Sequence, residues 1–161
     1  MQKALYRDLR EKKWPYFSSN TKALGQEADF VGVGRNKLVT EFEIKRSRSD
    51  FFADFKKKDK HKSLKEGKYP VSYFFYVCER GMIRPEEVPN EYGLIWIDKV
   101  TLSSQMAKVY KVKFKYTVTT VKNAKRLHTN KISEYLLTKL LVSIMYKYFA
   151  IIDKSDKDID E

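Results

Sequence analysis

The sequence predicts an α/β fold, an α+β sandwich with a mixed β-sheet flanked by helices, on three observations. Runs rich in Val, Ile, Phe and Tyr alternate with amphipathic helical stretches, 42% of the 161 residues are apolar, and Gly and Pro are sparse at 6 and 4. A chain of this length buries about two thirds of its unfolded surface in one core, so a single domain over residues 1–152 is expected. The acidic stretch from Asp153 to Glu161 reads as a flexible tail.

Leu5, Tyr6 and Leu9 recur at helical spacing among charges over residues 2–13, giving a first helix that ends before Trp14-Pro15. Residues 14–26 read as loop. Asp29-Phe30-Val31-Gly32-Val33 and Leu38-Val39-Thr40-Glu41-Phe42-Glu43-Ile44-Lys45 read as the two strands of a β-hairpin turning at Gly34-Arg35-Asn36-Lys37. Ser47, Ser49 and Asp50 bring capping chemistry ahead of Phe51, Phe52 and Phe55, which predicts a helix to about Leu64, closed by Gly67 and Pro70. Strands follow at 71–78 and 94–97. Lys111, Lys113 and Lys115 alternate with Val112, Phe114 and Tyr116, predicting another strand over 107–118. A last helix, capped near Asn130, carries Ile132, Leu136, Leu140 and Ile144 on one stripe. Tyr135, Leu137, Leu141, Met145 and Phe149 widen that stripe enough to cover the sheet or to form a homodimer.

Lys and Arg outnumber Asp and Glu by 33 to 21, a net charge of +12 that attracts polyanions such as nucleic acid. The single cysteine, Cys78, ends the apolar run from Val71, which excludes a disulfide framework and fits a reducing compartment. The N-terminus shows no signal region and no apolar stretch approaches the roughly 18 residues of a membrane span, so an intracellular protein without a membrane partner is expected.

Side chains alternate faces along a strand, so Glu41, Glu43 and Lys45 share one face and Phe42 and Ile44 the other. With Arg35-Asn36-Lys37 as the loop, Asp29 falls opposite Glu43, α-carbons about 4.5 to 5.5 Å apart; a two-residue loop shifts this by one position. Two ionised carboxylates so placed repel unless a cation sits between them. A divalent ion with hard oxygen ligands, Mg²⁺ or Mn²⁺, meets that need, and Lys45 is placed to orient or deprotonate a water. The same alternation also describes the solvated face of an amphipathic strand, with Glu27 and Lys45 as a surface ion pair.

Asp29 followed fourteen residues later by Glu43-Ile44-Lys45 resembles the signature of the PD-(D/E)XK nuclease superfamily. Glu43-Ile44-Lys45-Arg46-Ser47-Arg48-Ser49-Asp50-Phe51 with Asp54 and Lys57, then Tyr73-Phe74-Phe75-Tyr76-Val77, Val88-Pro89 and Tyr92-Gly93-Leu94-Ile95, is similar to the MmcB-type DNA-repair branch and related phage nucleases. The likeness covers roughly residues 27–98. It implies a restriction-endonuclease-like, four-stranded mixed sheet and metal held by Asp29, Glu43 and the Ile44 backbone carbonyl. It further implies Lys45 positioning the water, 5′-phosphate products, and a role in repair, recombination or phage DNA processing in a prokaryotic or phage-infected cytoplasm. No proline precedes Asp29, and a helix-borne acidic ligand has two candidates, Glu11 and Glu27.

Arg46, Arg48, Lys56, Lys57, Lys60 and His61 follow the motif strand, and on a helix whose phenylalanines turn inward they form a cationic ridge for substrate phosphates. Lys111, Lys113 and Lys115 with Lys122, Lys125, Arg126 and His128 either extend that track or protect a sheet edge. The leading expectation is a Mg²⁺- or Mn²⁺-dependent nuclease, DNA favoured. The alternative is a non-catalytic nucleic-acid-binding protein on the same fold.

Overall fold

The structure, a computed structural model, describes residues 1–56, 58–106 and 114–157. The described elements are α1 (Gln2–Glu11), β1 (Tyr16–Thr21), β2 (Ala28–Val33), β3 (Val39–Ile44), α2 (Arg48–Asp54), α3 (Lys58–Lys65), β4 (Val71–Glu79), β5 (Gly93–Thr101), β6 (Phe114–Lys122) and α4 (Glu134–Lys157). They form a six-stranded sheet in the order β1-β2-β3-β4-β5-β6. The β3–β4 and β4–β5 pairs are parallel and the others antiparallel, so the sheet is mixed and the α+β sandwich is the fold.

Residue type explains the layers. Phe30, Phe42, Val77, Ile95 and Ile97 alternate onto one face, where Ala4, Leu5 and Leu9 of α1 cover them. Val31, Val33, Val39, Phe74, Tyr76 and Cys78 alternate onto the other, under Phe51 of α2, Leu64 of α3 and Leu137 and Leu140 of α4. α2 starts at Ser47, whose side chain accepts the Asp50 N–H at 3.1 Å, as its capping chemistry predicts.

Several expectations are corrected. Residues 16–21 form edge strand β1 where a loop was expected; its sequence, Tyr-Phe-Ser-Ser-Asn-Thr, has no β-branched apolar residue to signal a strand. The helix expected to run to Leu64 breaks at Phe55–Lys56, giving α2 and α3. β5 runs to Thr101, well beyond 97, and the sheet has six strands rather than four. The strand expected over 107–118 begins, among described residues, at Phe114 and continues to Lys122; Lys111 and Lys113 lie outside the described residues. α4 continues to Lys157, so its helix enters the stretch expected to be a tail. Residues Glu134–Ile152 of α4 also reach membrane-span length and apolarity, by composition alone, with mean hydropathy 1.5 over 19 residues, contrary to expectation.

Candidate active site

The hairpin register decides where the motif residues meet. Gly34 donates its N–H to the Leu38 carbonyl at 3.0 Å, closing the loop Arg35-Asn36-Lys37, with Lys37 in the left-handed region at φ 63°. Phe30 then pairs with Phe42 and Val31 with Glu41, and the same register carries Asp29 to the position across from Glu43. Asp29 Oδ2 accepts the Ile44 N–H at 2.8 Å, which fixes its carboxylate against the motif strand.

The acidic face of β3 is buried, not solvated. Glu41, Glu43 and Lys45 are 0, 7 and 2% exposed, because α2 and α3 close over them. Glu27 pairs with Lys22 rather than with Lys45, so the surface-strand reading does not hold. Lys45 Nζ lies 3.0 Å from Glu43 Oε1 and 3.1 Å from Asp54 Oδ1. Lys60 Nζ, from α3, lies 2.9 Å from both Glu43 Oε2 and Glu41 Oε1. Gln26 donates to Glu41 Oε2 at 2.6 Å, and the Tyr76 hydroxyl donates to Asp54 Oδ2 at 2.9 Å. His61 joins through Asp54, 3.2 Å away, and Tyr92, 3.0 Å away.

Burial and charge pull these groups apart. Burial, reinforced by Glu43, raises the Asp29 carboxyl above its usual range against the Ile44 N–H, which lowers it. Burial likewise raises Glu41 despite Lys60. Glu43 is also pushed up by burial, but Lys60 and Lys45 overcome that and hold it below the usual range. Lys45 and Lys60, pulled down by burial, are raised on balance by their carboxylate partners, Glu43 with Asp54 and Glu41 with Glu43. Both lysines are therefore firmly ammonium ions, and Lys45 is a hydrogen-bond donor rather than a base.

Two clefts meet at Asp29. One, of about 470 Å³, is lined by Gln2, Lys3, Asn20, Asp29, Ile44, Arg46 and Asp50. The other, of about 450 Å³, is lined by Gln26, Glu27, Asp29, Glu43, Asp59 and Lys60. Lys45 stands behind Glu43, outside both linings.

Comparison with known proteins adds the fold and stops there. No family model matches the chain, and no curated protein does. A solved protein of unknown function from Silicibacter pomeroyi is similar, with a TM-score of 0.66 and 19% identity over 96% of this chain and 90% of that one. The likeness is one of fold.

The expected site residues divide accordingly. Asp29, Glu43 and the Ile44 backbone converge at one end of the hairpin, and Glu27 sits at the rim, exposed. Glu11 does not reach them: it closes α1 at the far end from Gln2, which donates to the Asp29 carbonyl at 3.2 Å, about 13 Å of helix away. Among described residues no cluster of three His, Cys, Asp or Glu is arranged to hold a metal ion. Two carboxylates with a backbone carbonyl nonetheless suit an ion that keeps most of its waters, as Mg²⁺ does.

The cationic ridge is only partly there. Lys60 and His61 turn inward to Glu41, Glu43, Asp54 and Tyr92 instead of outward. Arg48 ion-pairs with Glu87 and donates to the Met82 carbonyl at 2.9 Å. Lys56 is exposed, Arg46 lines the first cleft, and Lys57 lies outside the described residues. Lys122, Arg126 and His128 hydrogen-bond to backbone carbonyls of Val88, Thr129 and Tyr69, roles that hold loops. Gln26, Glu41 and Asp54 are partners to which the sequence assigns no role, and Asp50, expected only as a capping residue, also lies 3.9 Å from Lys45 Nζ. Asp54 stood among the motif's flanking residues, nine after Lys45, and its place at the end of a capped helix was the available signal.

Proposed function

We propose that the protein is a Mg²⁺- or Mn²⁺-dependent nuclease acting on nucleic acid, DNA favoured. The observation that carries this reading is the meeting of Asp29 and Glu43 at one end of the hairpin, where two polar clefts join. Charge supports it. Asp29, Glu41, Glu43 and Asp54, with Asp50 3.9 Å from Lys45 at the rim, outnumber the ammonium groups of Lys45 and Lys60. That excess of carboxylates in a poorly solvated site is one that a divalent cation would offset.

Asp29, Glu43 and the Ile44 carbonyl would hold the ion. When bound, it would neutralise charge at the scissile phosphate and acidify a water. Lys45 positions Glu43 by gripping one oxygen while Asp54 anchors the lysine from behind. Arg46 and Lys3, on the wall of the larger cleft, are placed to hold flanking phosphates. Lys60 must release Glu43 Oε2 for that oxygen to serve the ion.

The test is hydrolysis by the purified full chain, with Mg²⁺ or Mn²⁺, of single-stranded, duplex and branched DNA and of RNA. Metal-dependent cleavage lost in Asp29→Asn is the expected result. No cleavage of any of these, with Lys45→Ala binding nucleic acid as well as wild type, refutes it. One observation favours a second reading, a non-catalytic nucleic-acid-binding protein: lysines already occupy both oxygens of Glu43. Salt-sensitive binding without any metal effect would identify that case.

A further inference from the structure

α4 buries one side and leaves the other bare. Leu137, Leu140 and the half-buried Ile144 pack into the core, and Lys147 donates to the carbonyls of Ser19 and Asn20 on edge strand β1. Turned largely away from that side run Tyr135, Val142 and Phe149 at seven-residue intervals, with Thr138 and Met145 three residues after the first two. Half-buried Ile152 continues the spacing. Seven-residue repetition with this three-four alternation is the seam of paired helices, not of a helix resting on a sheet.

We propose that this seam pairs with the same seam of a second copy of the chain, making a two-fold symmetric, antiparallel helix pair. Area supports it. Tyr135, Tyr146, Phe149 and Met145 are 70, 69, 52 and 49% exposed, and Leu141, Val142 and Tyr148 are exposed beside them. With aromatic side chains burying on the order of 150–250 Å² when fully covered, this face offers roughly 700–900 Å² per copy, against about 800 Å² in a standard-size interface. Side-chain size decides direction. Antiparallel pairing sets Phe149 against Thr138, Val142 against Met145 and Tyr135 against Ile152, large against small. Parallel pairing would set Phe149 against Phe149 and leave Thr138 facing Thr138.

The arrangement is self-complementary, as a two-fold interface must be. The C-terminal half of α4 lies beside Gln2 and Lys3, which also line the cleft at Asp29. Antiparallel pairing therefore puts the two clefts on opposite sides of the two-fold axis. A net charge of +12 on each copy opposes association, so the dimer tightens as salt rises, opposite to nucleic-acid binding.

Sedimentation equilibrium of the full chain tests this. A dimer at micromolar concentration that tightens with salt, and becomes a monomer in Val142→Glu/Phe149→Glu with an unchanged circular dichroism spectrum, is expected. Should that variant misfold, mixed Val142→Cys and Met145→Cys proteins keep the test open, since buried Cys78 does not interfere. Under mild oxidation they should cross-link to each other at least ten-fold faster than either does to itself. A monomer at 100-fold higher concentration, a dimer indifferent to the double substitution, or preferential self-cross-linking overturns the proposal. So does a monomer in solution that co-sediments with anionic phosphatidylserine vesicles through α4, which would make this face a membrane surface.

Discussion

Lys60 stands between Glu41 and Glu43, its Nζ 2.9 Å from an oxygen of each, so a cation from α3 bridges two carboxylates of one strand. A metal ion drawing on Glu43 competes with that ammonium group. Lys60→Met should cost about 3–5 kcal/mol in metal-free protein, because it removes the ammonium group paired with buried Glu41 and leaves Glu43 with Lys45 alone. Mn²⁺ should then raise the melting temperature of Lys60→Met more than that of wild type. Equal or absent shifts in both would mean that no ion uses Glu43.

Asp29→Asn keeps the shape of the side chain and removes its charge. Cleavage should fall on the order of 10³-fold, the scale of several kcal/mol that a metal contributes to a phosphoryl transition state. Single-turnover rates at saturating Mn²⁺ check this, and a loss below ten-fold would exclude Asp29 as a ligand.

The pH dependence follows from Asp29 and Glu43, which are shifted in opposite directions. Asp29 is raised in the folded state, so folding favours its protonated form and its contribution to stability declines as pH rises from the unfolded to the folded value. Glu43 is lowered, so its contribution is present above the unfolded value and is lost as pH falls through the folded one. An ion held as proposed would compete with the proton on Asp29. The Mn²⁺-induced melting shift should therefore shrink in mildly acidic buffer, and Asp29→Asn should flatten that dependence.

Arg46 and Arg48 distinguish the proposed contact with substrate from contact within the fold. Arg46 lines the cleft, so Arg46→Ala should weaken binding of all nucleic-acid sequences alike and lower the salt slope by about one. Arg48 is tied to Glu87 and to the Met82 carbonyl, so Arg48→Ala should leave that slope unchanged and lower the melting temperature only slightly. Fluorescence anisotropy across a salt series distinguishes them.

Gly93 tests the sheet itself. A Cβ there would lie 2.3 Å from the Phe75 ring and 2.9 Å from the Ala124 nitrogen. Gly93→Ala should cost about 1–3 kcal/mol, lowering the melting temperature by roughly 2–10 °C.

What the sequence discloses of this molecule tracks how much of each feature is local. The hairpin register is local: one loop length fixes Phe30 against Phe42 and so Asp29 against Glu43. Leu136, Leu140 and Ile144 on α4 and the cap at Ser47 are periodic or short-range and legible for the same reason, whereas Ile132, expected on that helix with a cap near Asn130, packs into the core ahead of its start at Glu134. β1 is not, because a polar edge strand is stabilised by its pairing with β2 rather than by its own residues. Burial of Glu41, Glu43 and Lys45 is also invisible locally, since it depends on α2 and α3 folding back over β3. That same packing turns Lys60 and His61 inward, where charge counting along a helix places them in solvent.

Cys78 lies on β4, the strand with parallel neighbours on both sides, and is wholly buried. Burial pushes its thiol up to about 11, so in the native state it is both shielded and protonated at neutral pH. Being the chain's single sulfhydryl, it makes alkylation by a soluble maleimide a clock for opening of the sheet's interior. Its labelling rate reads out how often the middle of the protein comes apart, and how far a bound ion or nucleic acid slows that event, with no introduced probe.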